Sequence, residues 1–321
     1  MKALIVGEPT ATMQPGLDTG VLIAKEMLDR EFSVDYVDMG AIDWRKEGAQ
    51  YFTELPIQRL VKVIPSQQEP FTLLKSRQED VSSYDVIWQR LDPPVNERYI
   101  GHMKQFSVLP KKILQINNPN WTWPLSEHLL PQSYPEFAVT TWECDSEEKF
   151  IALVKSARTE VVAKPLHFFS GVGIEFFNSK TSESELHEYW SRWKPRVAVQ
   201  PFLKEVTSQG DLRILMMNLR VVGSVLRRPK MGGRLANLHQ GASAHAFTPT
   251  AKQLRACEFI SKDLYSKGLY LLGLDFIGDF LTEVNITCPS AVPQINRVMN
   301  IEAEKIMVDE MVKLISICSK G

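Results

Sequence analysis

The sequence predicts an α/β N-terminal domain followed by an α+β half that itself has two parts. Three observations carry that expectation. The chain opens β-α-β: an apolar run over residues 2–6, helical spacing through Val21, Leu22, Met27 and Leu28, then the alternation Val34-Asp-Tyr-Val37. Residues 118–135 hold four prolines and two tryptophans, the texture of a junction. From residue 201 onward short apolar strands dominate, covered by helical patterns near 250–267 and 301–318.

Taken in order, the first strand stops at Gly7, and its pairing with residues 34–37 across a helix implies a parallel sheet. Residues 44–84 show no clear period and read largely as loop. Asp85–Arg90 and Ile113–Asn117 are further strands, the second stopped by Asn118-Pro119. Beyond the junction, Phe137–Thr141, Val161–Lys164, Gly173–Phe177 and Val197–Gln200 are strand candidates, with helices near 146–157 and 183–193. The strand-rich remainder runs over 212–217, 220–226, 269–277 and 281–287.

Composition narrows the class of protein. The 37 basic residues nearly balance 38 acidic ones, so no global field points to a nucleic acid or a membrane surface. The longest apolar runs, Leu269–Leu274 and Ile214–Met217, fall far short of the roughly 20 residues of a membrane helix. The N-terminus does not read as a signal peptide. Cys144, Cys257, Cys288 and Cys318 stand apart, with no CxxC and no histidine at zinc-site spacing. A reduced, cytoplasmic enzyme or binding protein is the expectation.

Charge that cancels over the whole chain does not cancel locally. From Leu212 to Cys257 there is no Asp or Glu, while Arg213, Arg220, Arg227, Arg228, Lys230, Arg234, Lys252 and Arg255 all fall there. Such a stretch is either a solvated basic face or a binding surface for phosphates and carboxylates, which arginine holds through paired hydrogen bonds. Then comes Gly-Leu-Asp275-Phe-Ile-Gly-Asp279-Phe-Leu-Thr-Glu283-Val-Asn285, two strands about a Gly-Asp turn. With a three-residue loop at Gly278–Phe280, Asp275 faces Glu283, and Asn285 shares that face. Two carboxylates and an amide oxygen suit Mg²⁺. A two-residue loop would set Asp275 and Glu283 on opposite faces, leaving only a polar sheet surface.

A third element is Val161-Val-Ala-Lys164-Pro followed by Ser170-Gly171-Val-Gly173. A lysine ending an apolar strand beside a small-residue loop can reach phosphates while loop N–H groups cradle others. The spacing fits neither the P-loop nor the dinucleotide fingerprint, and Gly7-Glu-Pro after the first strand excludes a nicotinamide oxidoreductase.

In sequence, Lys164-Pro, the small-residue loop, Gln200-Pro-Phe-Leu203, Gly210-Asp-Leu-Arg213, Arg227-Arg-Pro, Arg234-Leu-Ala-Asn237 and the acidic hairpin closely resemble the ATP-grasp ligases. Within them they resemble the prokaryotic glutathione synthetases. Asp85-Val-Ile-Trp-Gln-Arg90-Leu-Asp-Pro-Pro resembles that family's N-terminal substrate strand. The resemblance implies an N-terminal substrate-binding domain (1–120), an ATP-grasp lid (121–200) and a C-terminal catalytic subdomain (201–321), sharing one site.

By the same resemblance, Lys164 and the Gly171/Gly173 loop would hold ATP phosphates. Gln200, Pro201, Phe202 and Leu203 would be the adenine hinge, and Asp211 would lie by the nucleotide. Arg213 and Arg227 would stabilise the transferring phosphoryl group, and the Arg234–Asn237 loop would close over it. Arg90 would take a substrate carboxylate, and Asp275, Glu283 and Asn285 would bind Mg²⁺ or Mn²⁺. The implied reaction joins γ-glutamylcysteine to glycine through an acyl phosphate. A homo-oligomer is implied by analogy, with no nucleic-acid or membrane partner.

The chain departs from the family pattern in four places. His167-Phe-Phe-Ser-Gly-Val-Gly173 replaces a glycine-richer loop, and His128 in Ser126-Glu-His-Leu129 stands where a lid lysine is usual. Arg234 and Asn237 are three apart rather than two, and Cys288 replaces a serine. The alternatives are therefore a ligase for another peptide or amino acid, or a nucleotide-binding relative impaired in catalysis. His167, His239 and His245 read as structural, and Trp121, Trp123, Trp190 and Trp193 as packing.

Overall fold

A computed structural model describes residues 1–41, 54–166, 168, 171–236 and 241–319. The first sheet holds β1 (Lys2–Gly7), β2 (Ser33–Asp38), β3 (Glu54–Val63), β4 (Phe71–Leu73), β5 (Arg77–Asp80), β6 (Val86–Arg90) and β7 (Leu114–Ile116). Its order is β4-β3-β2-β1-β6-β7, with β5 pairing to β3. Helices α1 (Thr19–Asp29), α2 (Glu97–Ser107) and the short α3 (Pro119–Thr122) accompany it. Asp18 starts α1 by accepting a hydrogen bond from the Val21 N–H.

The β-α-β opening is as expected, with β1 parallel to β2 and β6, and β6 parallel to β7. The loop expected over 44–84 is not. Residues 42–53 lie outside the described residues, but β3, β4 and β5 are antiparallel strands that make the sheet mixed. The charged texture of β3 and β5 hid them, and its cause is tertiary. Asp35 is buried on β2, and Arg59 (2.6 Å), Arg77 (2.9 Å) and the Tyr84 hydroxyl (2.7 Å) converge on it. A buried carboxylate needs such partners, so β3 and β5 carry arginines where a period-2 reading looks for apolar residues.

The second sheet holds β8 (Trp142–Cys144), β9 (Val161–Pro165), β10 (Glu175–Phe177) and β11 (Val197–Pro201), in the order β10-β9-β11-β8. Helices α4 (Glu147–Ser156) and α5 (Glu183–Trp193) pack on one face, with Phe150, Leu186 and Tyr189 in a core with Val161, Ala163, Val197 and Val199. A Ser182/Glu185 capping box opens α5. The strand expected at Phe137–Thr141 is instead a crossing segment. Its Phe137 carbonyl and Val139 N–H bond Leu281 (2.8 and 3.0 Å), and the strand proper begins at Trp142.

The third sheet runs β14-β13-β12-β15-β16: β12 (Asp211–Met217), β13 (Arg220–Arg228), β14 (Ser243–His245), β15 (Leu271–Ile277) and β16 (Phe280–Asn285). The short helix α6 (Glu205–Gln209) precedes it, and α7 (Ala251–Tyr265), α8 (Val292–Met299) and α9 (Ala303–Cys318) complete the chain. The sequence reading did not anticipate α2, α6, α8 or β14. One face of this sheet buries Ile214, Leu272 and Leu274 against α7; the other shares a core with the first sheet. In that shared core Leu215, Met217 and Met307 pack with Ala3, Ile5 and Val21. The N-terminal and C-terminal parts are thus cemented by one apolar core, which holds their facing edges in register around a cleft. No helix among the described residues is long and apolar enough to cross a membrane.

Candidate active site

Three adjacent strands align the acidic and basic groups. In register, Arg213 on β12 stands beside Asp275 on β15, which stands beside Glu283 on β16. Asp211, two residues before Arg213, pairs across with Arg227 on β13. Period-2 alternation then puts all five side chains on one face. The expected three-residue loop is not the device that achieves this. Ile277 pairs with Phe280, so the loop is Gly278-Asp279, with Gly278 at φ +58°. A register shift after Asp275 makes Thr282 a bulge, its hydroxyl bonding the Asp275 carbonyl at 3.1 Å, and the bulge restores Glu283 to the face of Asp275.

Asp275 is almost wholly buried and held by two guanidinium groups. Arg213 bonds it bidentately, Nε to Oδ1 at 2.7 Å and Nη2 to Oδ2 at 2.6 Å. Arg227 Nη2 bridges Asp275 Oδ2 (2.9 Å) and Asp211 Oδ2 (2.7 Å). Burial works against the Asp275 charge, but Arg213 and Arg227 outweigh it and hold its pKa below the usual range. Asp211 and Glu283 are pushed the other way, first by burial and then, against the arginines, by Asp275.

Asn285 donates its amide to the Gly273 carbonyl (3.1 Å) and Asp275 Oδ2 (3.4 Å), which leaves its Oδ1 open. Among the described residues Asp275 Oδ1 takes only the Arg213 Nε bond, so it too keeps a lone pair. Asp211 Oδ1 and Arg227 Nε are buried without partners among the described residues. Unmatched polar atoms of this kind in a cleft mark where a ligand's atoms complete the hydrogen bonding.

The cleft has a volume of about 580 Å³ and is bordered by all three sheets. Gly7, Glu8, Arg90 and Asp92 line one end; Lys164, Gln200, Pro201, Phe202 and Leu203 line another; the Asp275 face forms the floor. Lys164 alternates with Val161 and Ala163, so it turns away from the helical core toward the cleft. Burial lowers its pKa against the pull of Glu283, Asp211 and Asp275. The Gln200 side chain is taken up by Thr141 Oγ1 at 2.8 Å, and the Phe202 N–H by the Glu160 carbonyl at 2.9 Å. Arg90 is anchored on the third-sheet side, by the Pro289 carbonyl (3.0 Å) and Ser290 Oγ (2.9 Å).

Some expected residues sit differently. Gly171 borders the cleft, but Gly173 does not: at φ +73°, a Cβ there would lie 2.7 Å from Pro165 and 2.8 Å from Trp193, so packing accounts for this glycine. Arg234 does not reach the floor. It pairs with Glu160, and its guanidinium carbon sits 3.9 Å from the Phe176 ring centre and 4.3 Å from that of Phe202. Asn237 and His167 lie outside the described residues. His128 is buried with Nδ1 3.5 Å from Glu283 Oε1, and burial, then Lys164, lowers its pKa so that the ring is neutral. Cys288 borders the cleft as a thiol, its pKa raised by burial.

Four residues that the sequence reading did not single out shape the site: Glu127, Thr282, and the pair Glu160 and Phe176 that hold Arg234. Glu127 borders the cleft and bonds Ile286 and Thr287. None sits in a local pattern that signals its role: Glu127, Glu160 and Phe176 work through partners far along the chain, and Thr282 through Asp275 on the opposite strand of its own hairpin.

Residues 1–122 match the N-terminal domain, and residues 127–300 the ATP-grasp domain, of prokaryotic glutathione synthetase. The chain is 26% identical to a glutathione synthetase of Gloeobacter violaceus over 323 residues, covering 98% of this chain and 97% of that one. It is 28% identical to the glutathione synthetase of Synechocystis sp. over 325 residues, covering 96% and 98%. The fold resembles that of a D-cycloserine synthetase (TM-score 0.65, 12% identity, 98% and 99% of the two chains). It also resembles the D-alanyl-alanine synthetase A of Vibrio cholerae (TM-score 0.60, 13% identity, 98% of each). Matches that run through both the N-terminal sheet and the two sheets enclosing the cleft assign this chain to the prokaryotic glutathione synthetase family of ATP-dependent, ATP-grasp ligases.

Proposed function

We propose that this protein is a glutathione synthetase, which activates the cysteinyl carboxylate of γ-glutamylcysteine with ATP and joins it to glycine. The observation that carries the reading is the row Arg213–Asp275–Glu283 on the floor of a cleft bordered by Lys164. In this reading residues 1–120 hold the peptide substrate, 121–200 form the lid and 201–321 the catalytic floor. Lys164 contacts ATP phosphates, Gln200–Leu203 border the adenine, and Asp211 lies by the nucleotide.

Glu283 and Asn285, with Asp275 Oδ1, are hard oxygen donors and fit Mg²⁺ or Mn²⁺. Such an ion would neutralise phosphate charge as the phosphoryl group moves. Arg213 and Arg227 do their part from fixed positions: Asp275 and Asp211 hold one edge of the guanidinium pair, and the unpartnered Arg227 Nε is left for the phosphoryl oxygens. Arg90, pinned by Pro289 and Ser290, meets a substrate carboxylate. The substrate carboxylate attacks the γ-phosphorus and releases ADP; the glycine amine then attacks the acyl phosphate, and phosphate leaves. The acyl phosphate is labile in water, so the loop bearing Arg234 acts by covering the cleft.

The test is phosphate release by the purified protein with ATP and Mg²⁺. Release is expected only when γ-glutamylcysteine and glycine are both present. A folded protein that binds ATP but gives no phosphate with that pair, and gives it with another carboxylate–amine pair, overturns the substrate assignment.

A further inference from the structure

We propose that Glu127 is a positioning residue that clamps the free edge of β16 and so keeps Glu283 and Asn285 aimed into the cleft. The proposal rests on the cation-binding reading of those two residues. In the order β14-β13-β12-β15-β16, β16 is an edge strand. Every second N–H of an edge strand points outward with no strand to receive it, and an edge so left is free to flex. Here the crossing segment and Glu127 receive them in turn. The Phe137 carbonyl takes the Leu281 N–H at 2.8 Å and the Glu127 main-chain carbonyl takes Val284 at 3.1 Å. Glu127 Oε1 then takes Ile286 at 2.6 Å.

The same oxygen also accepts the Thr287 N–H at 2.8 Å and the Thr287 hydroxyl at 2.9 Å. One residue therefore holds the chain on both sides of Asn285. Three donors converging on a single oxygen suit a carboxylate. The next residue, His128, sets its ring against Glu283. Ligand oxygens held this way need no reordering when a cation arrives, and outer partners of this kind are typically worth about 10- to 100-fold in metal affinity.

The experiment measures ADP binding by calorimetry with and without Mn²⁺, on the full chain and on Glu127→Ala and Glu127→Gln. Mn²⁺ is expected to tighten ADP binding in the wild type. Glu127→Ala should lose about tenfold of that enhancement while its affinity for ADP alone stays unchanged, and Glu127→Gln, which keeps an acceptor oxygen, should recover most of it. An enhancement equal to wild type in Glu127→Ala overturns the proposal. So does an equal loss with and without Mn²⁺, which would mean general collapse of the site. A wild type that shows no Mn²⁺ enhancement overturns the cation reading itself, and the proposal with it. If Glu127→Ala does not fold, Thr287→Val decides, because it removes one of the three bonds: a reduced enhancement supports the clamp and an unchanged one overturns it.

Discussion

Asp275 faces Glu283 across the β15–β16 hairpin because Thr282 is one residue too many for the β16 strand. Without that bulge, the two-residue loop at Gly278-Asp279 would put Thr282 opposite Asp275 and turn Glu283 to the apolar face. A single extra residue thus converts a polar hairpin into a site where opposing carboxylates share a surface with two arginines.

Among the described residues, Glu283 is the carboxylate of the row that no arginine holds; its near neighbour is the neutral ring of His128. Glu283→Gln is therefore expected to lower kcat about 10²- to 10³-fold while leaving the unfolding temperature near that of the wild type. Steady-state kinetics beside a thermal melt checks both halves, and near-normal turnover would refute the assignment.

Arg213 is mostly buried and Asp275 almost wholly so, and removing Arg213 leaves the Asp275 charge with only Arg227 Nη2 (2.9 Å), which Asp211 shares. Arg213→Met should cost about 3–5 kcal/mol of stability, read as a lower urea midpoint at unchanged slope. Arg213→Met combined with Asp275→Leu should recover much of that loss, because the under-compensated Asp275 charge is gone and Arg227 still has Asp211 at 2.7 Å. Activity should be absent in both. A double variant as unstable as the single one would show that the pair's packing, not its charge, is what matters.

Arg234 and Glu160 are about one-third exposed, so their pairing contributes little to global stability. It nevertheless ties the loop after β13 to the start of β9. Glu160→Gln should lower overall stability by less than about 1 kcal/mol, yet raise tryptic cleavage after Lys230 roughly threefold, because the open loop is populated more. Cleavage at the wild-type rate would mean that stacking on Phe176 and Phe202 suffices.

His102 is buried on α2, and burial pushes its ring from the ordinary 6.5 down to about 4. As pH falls through 6.5 the unfolded chain takes up a proton that the folded chain does not, so stability declines from pH 6.5 toward 4. His102→Leu should flatten that part of the pH–stability curve. Urea midpoints across the interval test it, and an unchanged slope would assign the acid sensitivity elsewhere.

Periodicity and local chemistry were enough to read the β-α-β opening, the strands at 161–165, 197–201, 211–217 and 220–228, and the long helices, because each buries a regular apolar face of its own. The same reading picked out Asp275, Glu283, Asn285, Lys164 and the carboxylate-free stretch, since dense charge beside apolar strands is visible in one dimension. It missed β3 and β5, whose arginines answer to the buried Asp35, and Glu127, whose partners lie 159 and 160 residues away. It also left the hairpin register open between two loops: the three-residue loop pairs Asp275 with Glu283, as observed, but the loop itself has two residues and the Thr282 bulge supplies that pairing.

By itself, then, the sequence determined the fold class and an inventory of phosphate- and cation-compatible groups, because those depend on neighbours within a few residues. Only the tertiary structure decided which groups meet. The Thr282 bulge sets the face of Glu283, long-range partners turn Arg234 toward Glu160, and the crossing segment closes the edge of β16. The last two are contacts between segments far apart in the chain, and the first is a register choice within one hairpin that loop length alone leaves open.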